Sequence, residues 1–291
     1  MDLSTFLIHT LNAVQYGLVL FLVASGLTLV FGIMRIINLA HGTFYMIGAY
    51  TAFALSGSVT ETFAGTIALG LFLSFAIGFL LERVFFSFLY NRDHLEQLLV
   101  TYGLILIFEE LRSILFGNDV HGVPVPETFA GSIALTDTLS YPVYRIAVSV
   151  ICIVVAIGLY YLIRHTRLGM MIRAGSHDRT MVQALGINIR LLYTVVFALG
   201  FTLAAFSGII SAPLSSVAPG MGNQVLIISF VVVVIGGVGS VGGALVAAMV
   251  IAFADVFGKV LVPEFSGMFV YLVMAIVLLW RPEGIFKRAQ S

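Results

Sequence analysis

The chain contains nine stretches of mostly apolar residues, at about 6–31, 36–56, 63–81, 95–116, 145–163, 191–212, 224–239, 241–258 and 267–280. A helix needs about 20 such residues to cross a hydrocarbon core roughly 30 Å thick, because each residue rises 1.5 Å. Lipid offers no water to a free N–H or carbonyl, so each crossing stretch must close its own hydrogen bonds as a helix. The expected fold class is therefore all-α. It is a polytopic transmembrane helix bundle of about eight or nine membrane segments, with 1–291 as a single domain. The seventh and eighth stretches are short, Gly-interrupted and barely separated. They read equally as two spans or as one re-entrant pair.

Composition excludes the main soluble classes. Of 291 residues, 60% are hydrophobic and 10% charged, whereas a soluble domain carries about 25% charged residues. The 14 basic and 14 acidic residues cancel, which argues against a nucleic-acid binder with its basic face. The single cysteine, Cys152, removes disulfide frameworks and CxxC sites and is expected in the core. No His, Asp and Glu set has metal-ligand spacing, and no Ser/His/Asp set is recognisable. Gly258-Lys259 is followed by Val260, so there is no Walker A motif. No cofactor is expected in this chain, and any ATP–Mg chemistry belongs to a separate subunit. The first stretch lacks a basic flank and exceeds a signal h-region in length, so it reads as a span.

Basic residues concentrate in cytoplasmic loops. With the N-terminus outside, Arg35, Arg83, Arg92, Arg164, Arg167, Arg173, Arg179, Arg190, Arg281, Lys287 and Arg288 fall inside, and only Arg112, Arg145 and Lys259 outside: 11 against 3. The long outer loop at 117–144 carries Asp119, Glu127 and Asp137. N-out, C-in is the expected topology.

The cytoplasmic segment 164–190 reads RHTRLGMMIRAGSHDRTMVQALGINIR, longer than a turn between spans requires. It suggests two short helices. Ser176 or Asp178 can cap the second, Met181, Ala184 and Leu185 share one face, and Gly186 supplies a left-handed stop. Such an element fits a groove on a soluble partner, or alternatively lies on anionic lipid with its arginines.

Within RIINLAHGTFYMIGAY, at 35–50, a continuous helix would put Asn38, His41 and Tyr45 on one face. Polar groups at membrane depth face a cavity or tie helices together. The trio is thus either a polar lining of a solute path or a hydrogen-bond staple, with Gly42 and Gly48 allowing close helix approach. The run IGGVGSVGGA places Gly236, Gly237, Gly239, Gly242 and Gly243 within ten residues as candidate helix breaks, with a comparable break expected around Gly42–Gly48. Glu109 and Arg112 are expected to pair at i, i+3, and Asp255 to reach the outer interface.

Four stretches carry a resemblance that runs from Tyr16 to Arg288. They are GLTLVFGIMRIINLAHGTFYMIGAY with its Asn38–Gly42 core, RLGMMIRAGSHDRTMVQALGI, the glycine run, and the closing RPEGIF at 281–286. Together they resemble the permease subunits of branched-chain amino-acid ABC transporters, specifically the shorter LivH-type half. The loop motif is matched at Arg173, Ala174, Asp178, Ala184, Gly186 and Ile187, flanking Leu185.

The resemblance implies a bacterial inner-membrane importer with two homologous permeases, two cytoplasmic ATPase subunits and an external or periplasmic solute-binding protein. It implies that 164–190 couples to the ATPases and that Asn38, His41, Gly42 and Tyr45 line the path. Relatives of this shape also serve urea, amides and other carboxylates, so the solute stays open. Two other classes compete with this reading. An ion-driven secondary transporter or channel would bury carboxylates near the midplane, whereas the acidic residues here gather at segment ends. A membrane enzyme would need a nucleophile–base pair or a metal set.

Overall fold

The computed structural model describes residues 3–56, 62–90, 92–136 and 139–286. Among them are eleven α-helices: α1 (Leu3–Met34), α2 (His41–Leu55), α3 (Phe63–Val84), α4 (His94–Phe116), α5 (Val143–His165), α6 (Arg167–His177), α7 (Arg179–Ala184), α8 (Ile189–Ser211), α9 (Met221–Gly236), α10 (Val241–Leu261) and α11 (Ser266–Trp280). Each of the nine apolar stretches becomes a helix, and the segment 164–190 adds α6 and α7. The expected positions Asp137, Lys287 and Arg288 lie outside the described residues.

Helices α1, α3, α5, α8 and α10 have the length and apolarity to cross a membrane, and α9 and α11 are shorter apolar helices. Helix α4 is long enough but carries Glu96, Glu109, Glu110 and Arg112. The chain is a multi-pass membrane protein built as a helical bundle.

Burial grades outward from one central helix. The apolar window of α1 is 94% buried, that of α5 only 17%. Around α1 pack α10, α8, α9 and α5, while α2 packs chiefly on α8 and α9 and α3 lies outside α8. The inner packing depends on small residues. A Cβ on Gly48 of α2 would overlap the Ala205 carbonyl of α8, and one on Gly208 would overlap the Tyr45 carbonyl. The two backbones are therefore in direct contact along that crossing. Aromatic rings close the neighbouring gap, with Phe44 4.3 Å from Phe201 and Phe86 4.2 Å from Phe197, centroid to centroid.

Helices α9 and α10 pack against each other and both pack against α1. Gly239, in their connection, abuts Gly32 near the end of α1, while Phe257 near the far end of α10 meets Phe6 at 5.5 Å. The break falls at Gly237 and Gly239, with φ of +91° and +83°. Gly236, Gly242 and Gly243 are helical rather than broken; Gly236 and Gly243 let the hairpin arms touch.

The loop between α4 and α5 contains a feature that an all-helical expectation omits, an antiparallel hairpin of β1 (Ser132–Thr136) and β2 (Leu139–Pro142). Tyr141 and Arg145 both donate to Asn12 Oδ1 on α1, at 3.0 and 2.9 Å. Tyr144 donates to the Ile210 carbonyl of α8 at 2.9 Å. The backbones of His121 and Val217 pair as an isolated bridge.

Candidate functional site

The segment between α1 and α2 does not form the continuous helix expected of 35–50. Helix α1 stops at Met34, Arg35 turns with φ +54°, and α2 starts only at His41. Asn38 is thus off the helix and shares no helical face with His41 and Tyr45. Its Oδ1 accepts the Ala40 N–H at 3.0 Å and its carbonyl faces the His41 N–H at 3.4 Å. A short polar side chain here supplies an acceptor that the interrupted helix lacks. Ile36, Asn38 and Ala40 are all fully buried, so alternate residues of this irregular backbone are covered by protein. The expected break near Gly42–Gly48 is corrected accordingly. It lies upstream, and both glycines are helical.

His41 is fully buried and its Nε2 is 3.0 Å from the Val23 carbonyl of α1. A carbonyl only accepts, so Nε2 carries the proton and Nδ1 is left as a buried acceptor without a partner. Val23 lies eleven residues before Met34, about 16 Å of helix. Helix α2 therefore begins part-way along α1 rather than at its end. Gly42, next along, meets Gly222 and Leu226 of α9 so closely that a Cβ would overlap them.

Tyr45 turns towards a second polar group. Its hydroxyl lies towards Ser211 and Ser215, and it is within electrostatic reach of Tyr16, as Tyr16 is of Asp255. Asp255 is enclosed by protein. Its side chain is 8% exposed and pairs with Lys259 at 2.5 Å. Tyr16, Tyr45, Ser211, Ser215 and Asp255 thus form a polar cluster between α1, α2, α8 and α10. The i, i+4 spacing of Asp255 and Lys259 was the available sequence signal. The Glu109–Arg112 pair forms as expected, at 3.3 Å.

The segment 164–190 folds as two capped helices. Thr166 accepts the Gly169 N–H at 3.1 Å to cap α6, and Asp178 accepts the Met181 N–H at 3.0 Å to cap α7. Ser176 is not the cap; it sits inside α6 and donates to the Arg173 carbonyl at 2.8 Å. The Arg173 guanidinium reaches back to the Ile163 carbonyl of α5. Ala174 is exposed on α6, and its carbonyl accepts the Asp178 N–H at 3.0 Å. Gly186 adopts φ +83°, the left-handed geometry that ends a helix. Ile187 then returns a bond to the Val182 carbonyl at 3.3 Å. Val182 is buried inward, while Met181 and Leu185 are 59% and 71% exposed on the outer side, with Ala184 exposed between them. An apolar face on a charged element, open to solvent, has the form of a docking surface.

Comparison with known proteins decides the class. Residues 9–278 match the family model described as branched-chain amino acid transport system / permease component. The chain belongs to that permease family. It is 29% identical to the high-affinity branched-chain amino acid transport system permease protein BraD of Pseudomonas aeruginosa, over 99% of this chain and 98% of the relative. It is 27% identical to LivH of Escherichia coli K12, over 98% and 96%. It also matches LivM of the same organism, another permease protein of a high-affinity branched-chain amino acid transport system, at 23% over 95% of this chain and 69% of the relative. No solved structure matches the chain. The permease is thus a LivH-type component of an ABC importer family, a transport subunit rather than an enzyme.

Proposed function

We propose that this permease works in the bacterial inner membrane as one half of a heterodimeric importer. It moves a branched-chain amino acid or a similar small polar solute inward. The second half is a homologous permease, an external or periplasmic binding protein delivers the solute, and two cytoplasmic ATPase subunits supply the energy through ATP–Mg bound on their own chains. In this reading the N-terminus is outside, and the end of the bundle bearing Arg35, Arg83, Arg92, Arg173, Arg179 and Arg190 faces the cytoplasm.

The observation that carries the ATPase assignment is the exposed Met181–Ala184–Leu185 face on α7, held by the Asp178 cap and the Gly186 stop. Closure of the ATPases pushes on α7. Val182 and Gly175 transmit the push, since Val182 is buried and Gly175 packs against Ile33 of α1 and Leu192 of α8. The path runs past the Tyr16–Tyr45–Asp255 cluster. Asn38, His41 and Gly42 position α2 beside it through their ties to α1 and α9.

The test is a gentle-detergent pull-down of the tagged chain, with subunit identification and an ATPase assay of the eluate. Recovery of a second permease with nucleotide-binding subunits and ATPase activity is the expected result. A homo-oligomer without ATPase activity, whose uptake collapses with a protonophore, would instead establish an ion-driven carrier.

A further inference from the structure

The closing motif RPEGIF at 281–286 doubles back on the bundle after α11. Gly284 takes φ +83°, and its N–H donates to the Arg281 carbonyl at 3.0 Å to close a turn. Arg281 Nη1 donates to the Ile285 carbonyl at 3.2 Å and braces that turn from the other side. The Ile285 N–H then donates to the Ile235 carbonyl at 2.7 Å. Ile235 lies in the last turn of α9, where helical carbonyls have no partner within their own helix. The Ile285 side chain packs on the edge of the buried core. Residues 281–286 thus form a strap seated on the end of α9.

The fit is backbone against backbone. A Cβ on Gly284 would come within 2.7 Å of Gly237 N and 2.9 Å of the Val234 carbonyl, and one on Gly237 would overlap the Phe286 carbonyl. Both glycines hold a positive φ, so space and conformation alike exclude a side chain. Two residues on, Gly239 of the same turn abuts Gly32 of α1, and the next residue of α1, Ile33, packs on Gly175 of α6. Strap, α9–α10 turn, end of α1 and α6 therefore follow one another in close contact. The turn is the soft member of this row. Gly236, Gly237, Gly239, Gly242 and Gly243 give it the widest conformational freedom a chain can have.

We propose that Gly284 and Ile285 are positioning residues for coupling. The strap buttresses the α9–α10 turn against the end of α1, and it joins α9, α10 and α11 into one moving body. When α6 presses on Ile33, the displacement passes from Gly32 to Gly239 and carries all three helices. Without the strap, the glycines of the turn absorb the displacement by bending. The transfer from α6 rests on the importer reading above; the union of strap and turn does not.

The first test uses the full chain in lipid nanodiscs, without ATPases, and follows amide hydrogen exchange by mass spectrometry. Residues 235–239 and 282–286 should be protected together. Gly284→Val should speed exchange in both stretches by about tenfold or more while leaving α8 unchanged. Unaltered exchange at 235–239 overturns the proposal. The second test uses the reconstituted importer. Gly284→Val and Ile285→Ala should hydrolyse ATP but move several-fold less solute per ATP, and Ile285→Val should keep the wild-type ratio. A wild-type ratio in Ile285→Ala, or an equal fall in Ile285→Val, overturns the positioning role. A reducible bis-thiosulfonate bridge then joins Val238→Cys to Phe286→Cys, two exposed positions, in a Cys152→Ala background. Uptake should survive bridging, because turn and strap already travel together. Uptake that stops on bridging and returns on reduction overturns the proposal, by showing that the strap must leave the turn. Failure to recover ATPase subunits would sink the importer reading alone and leave the exchange result standing.

Discussion

Gly48 of α2 lies against Ala205 of α8 so closely that no side chain fits between the two backbones. Replacing it forces the central crossing apart. Overpacking typically costs about 1–3 kcal/mol, occasionally more, and at a backbone-to-backbone contact the upper end is expected. Gly48→Val should lower the thermal midpoint of the detergent-solubilised chain sharply or abolish monodisperse protein. Gly103→Ala, where an added Cβ meets nothing, should leave the midpoint unchanged.

His41 ties the start of α2 to the Val23 carbonyl. His41→Leu removes that bond at a cost of about 1–3 kcal/mol for the buried group left behind. If the residue acts as a tie, stability and uptake fall together, and lowering the assay temperature restores uptake. A normal thermal midpoint with altered solute affinity would place the ring in the path.

Gly186 holds φ +83°, a conformation that costs a residue with a Cβ roughly 1–2 kcal/mol. Gly186→Val should keep membrane insertion and ATP hydrolysis but lose uptake, because α7 leaves its site at the wrong angle. Uptake and hydrolysis measured on the same proteoliposomes give the ratio, and a wild-type ratio would remove Gly186 from coupling.

Met181 of α7 and its C-cap residue Leu185 are 59% and 71% exposed. A double change to glutamate should spare the fold and reduce ATPase recovery in the pull-down by an order of magnitude. Asp178→Ala, which removes the α7 cap at about 1 kcal/mol, should give a smaller loss.

Lys259 is the buried Asp255 carboxylate's ion-pair partner at 2.5 Å. Lys259→Met leaves that carboxylate unpaired and should destabilise the chain by about 1–3 kcal/mol, less than a fully buried pair because Lys259 itself is half-exposed. Adding Asp255→Asn should recover most of the loss in thermal unfolding. No recovery would mean that the lysine acts through another group.

The helices were legible in the sequence because a membrane-crossing stretch is long and apolar whatever surrounds it. The caps Asp178 and Gly186 were legible because they act on their own backbone. What escaped was facing. Helix α2 is apolar on nearly every side, so periodicity could not tell which residues meet α1, α8 or α9. It also gave no warning that Asn38 belongs to an extended approach rather than to the helix. The burial of Asp255 escaped for a related reason: position near a helix end says nothing about whether other helices extend past it. The β1–β2 hairpin is short, and its strands gain their place from Asn12, more than a hundred residues away.

That hairpin and the first turn of α5 after it are tied to the central helices. Tyr141 and Arg145 grip Asn12 on α1, and Tyr144 grips Ile210 on α8. A push on this loop is carried, through two side chains, to the helix that ends beside Gly175 and Gly239. A load on the loop reaches the far end of α1 along one continuous helix.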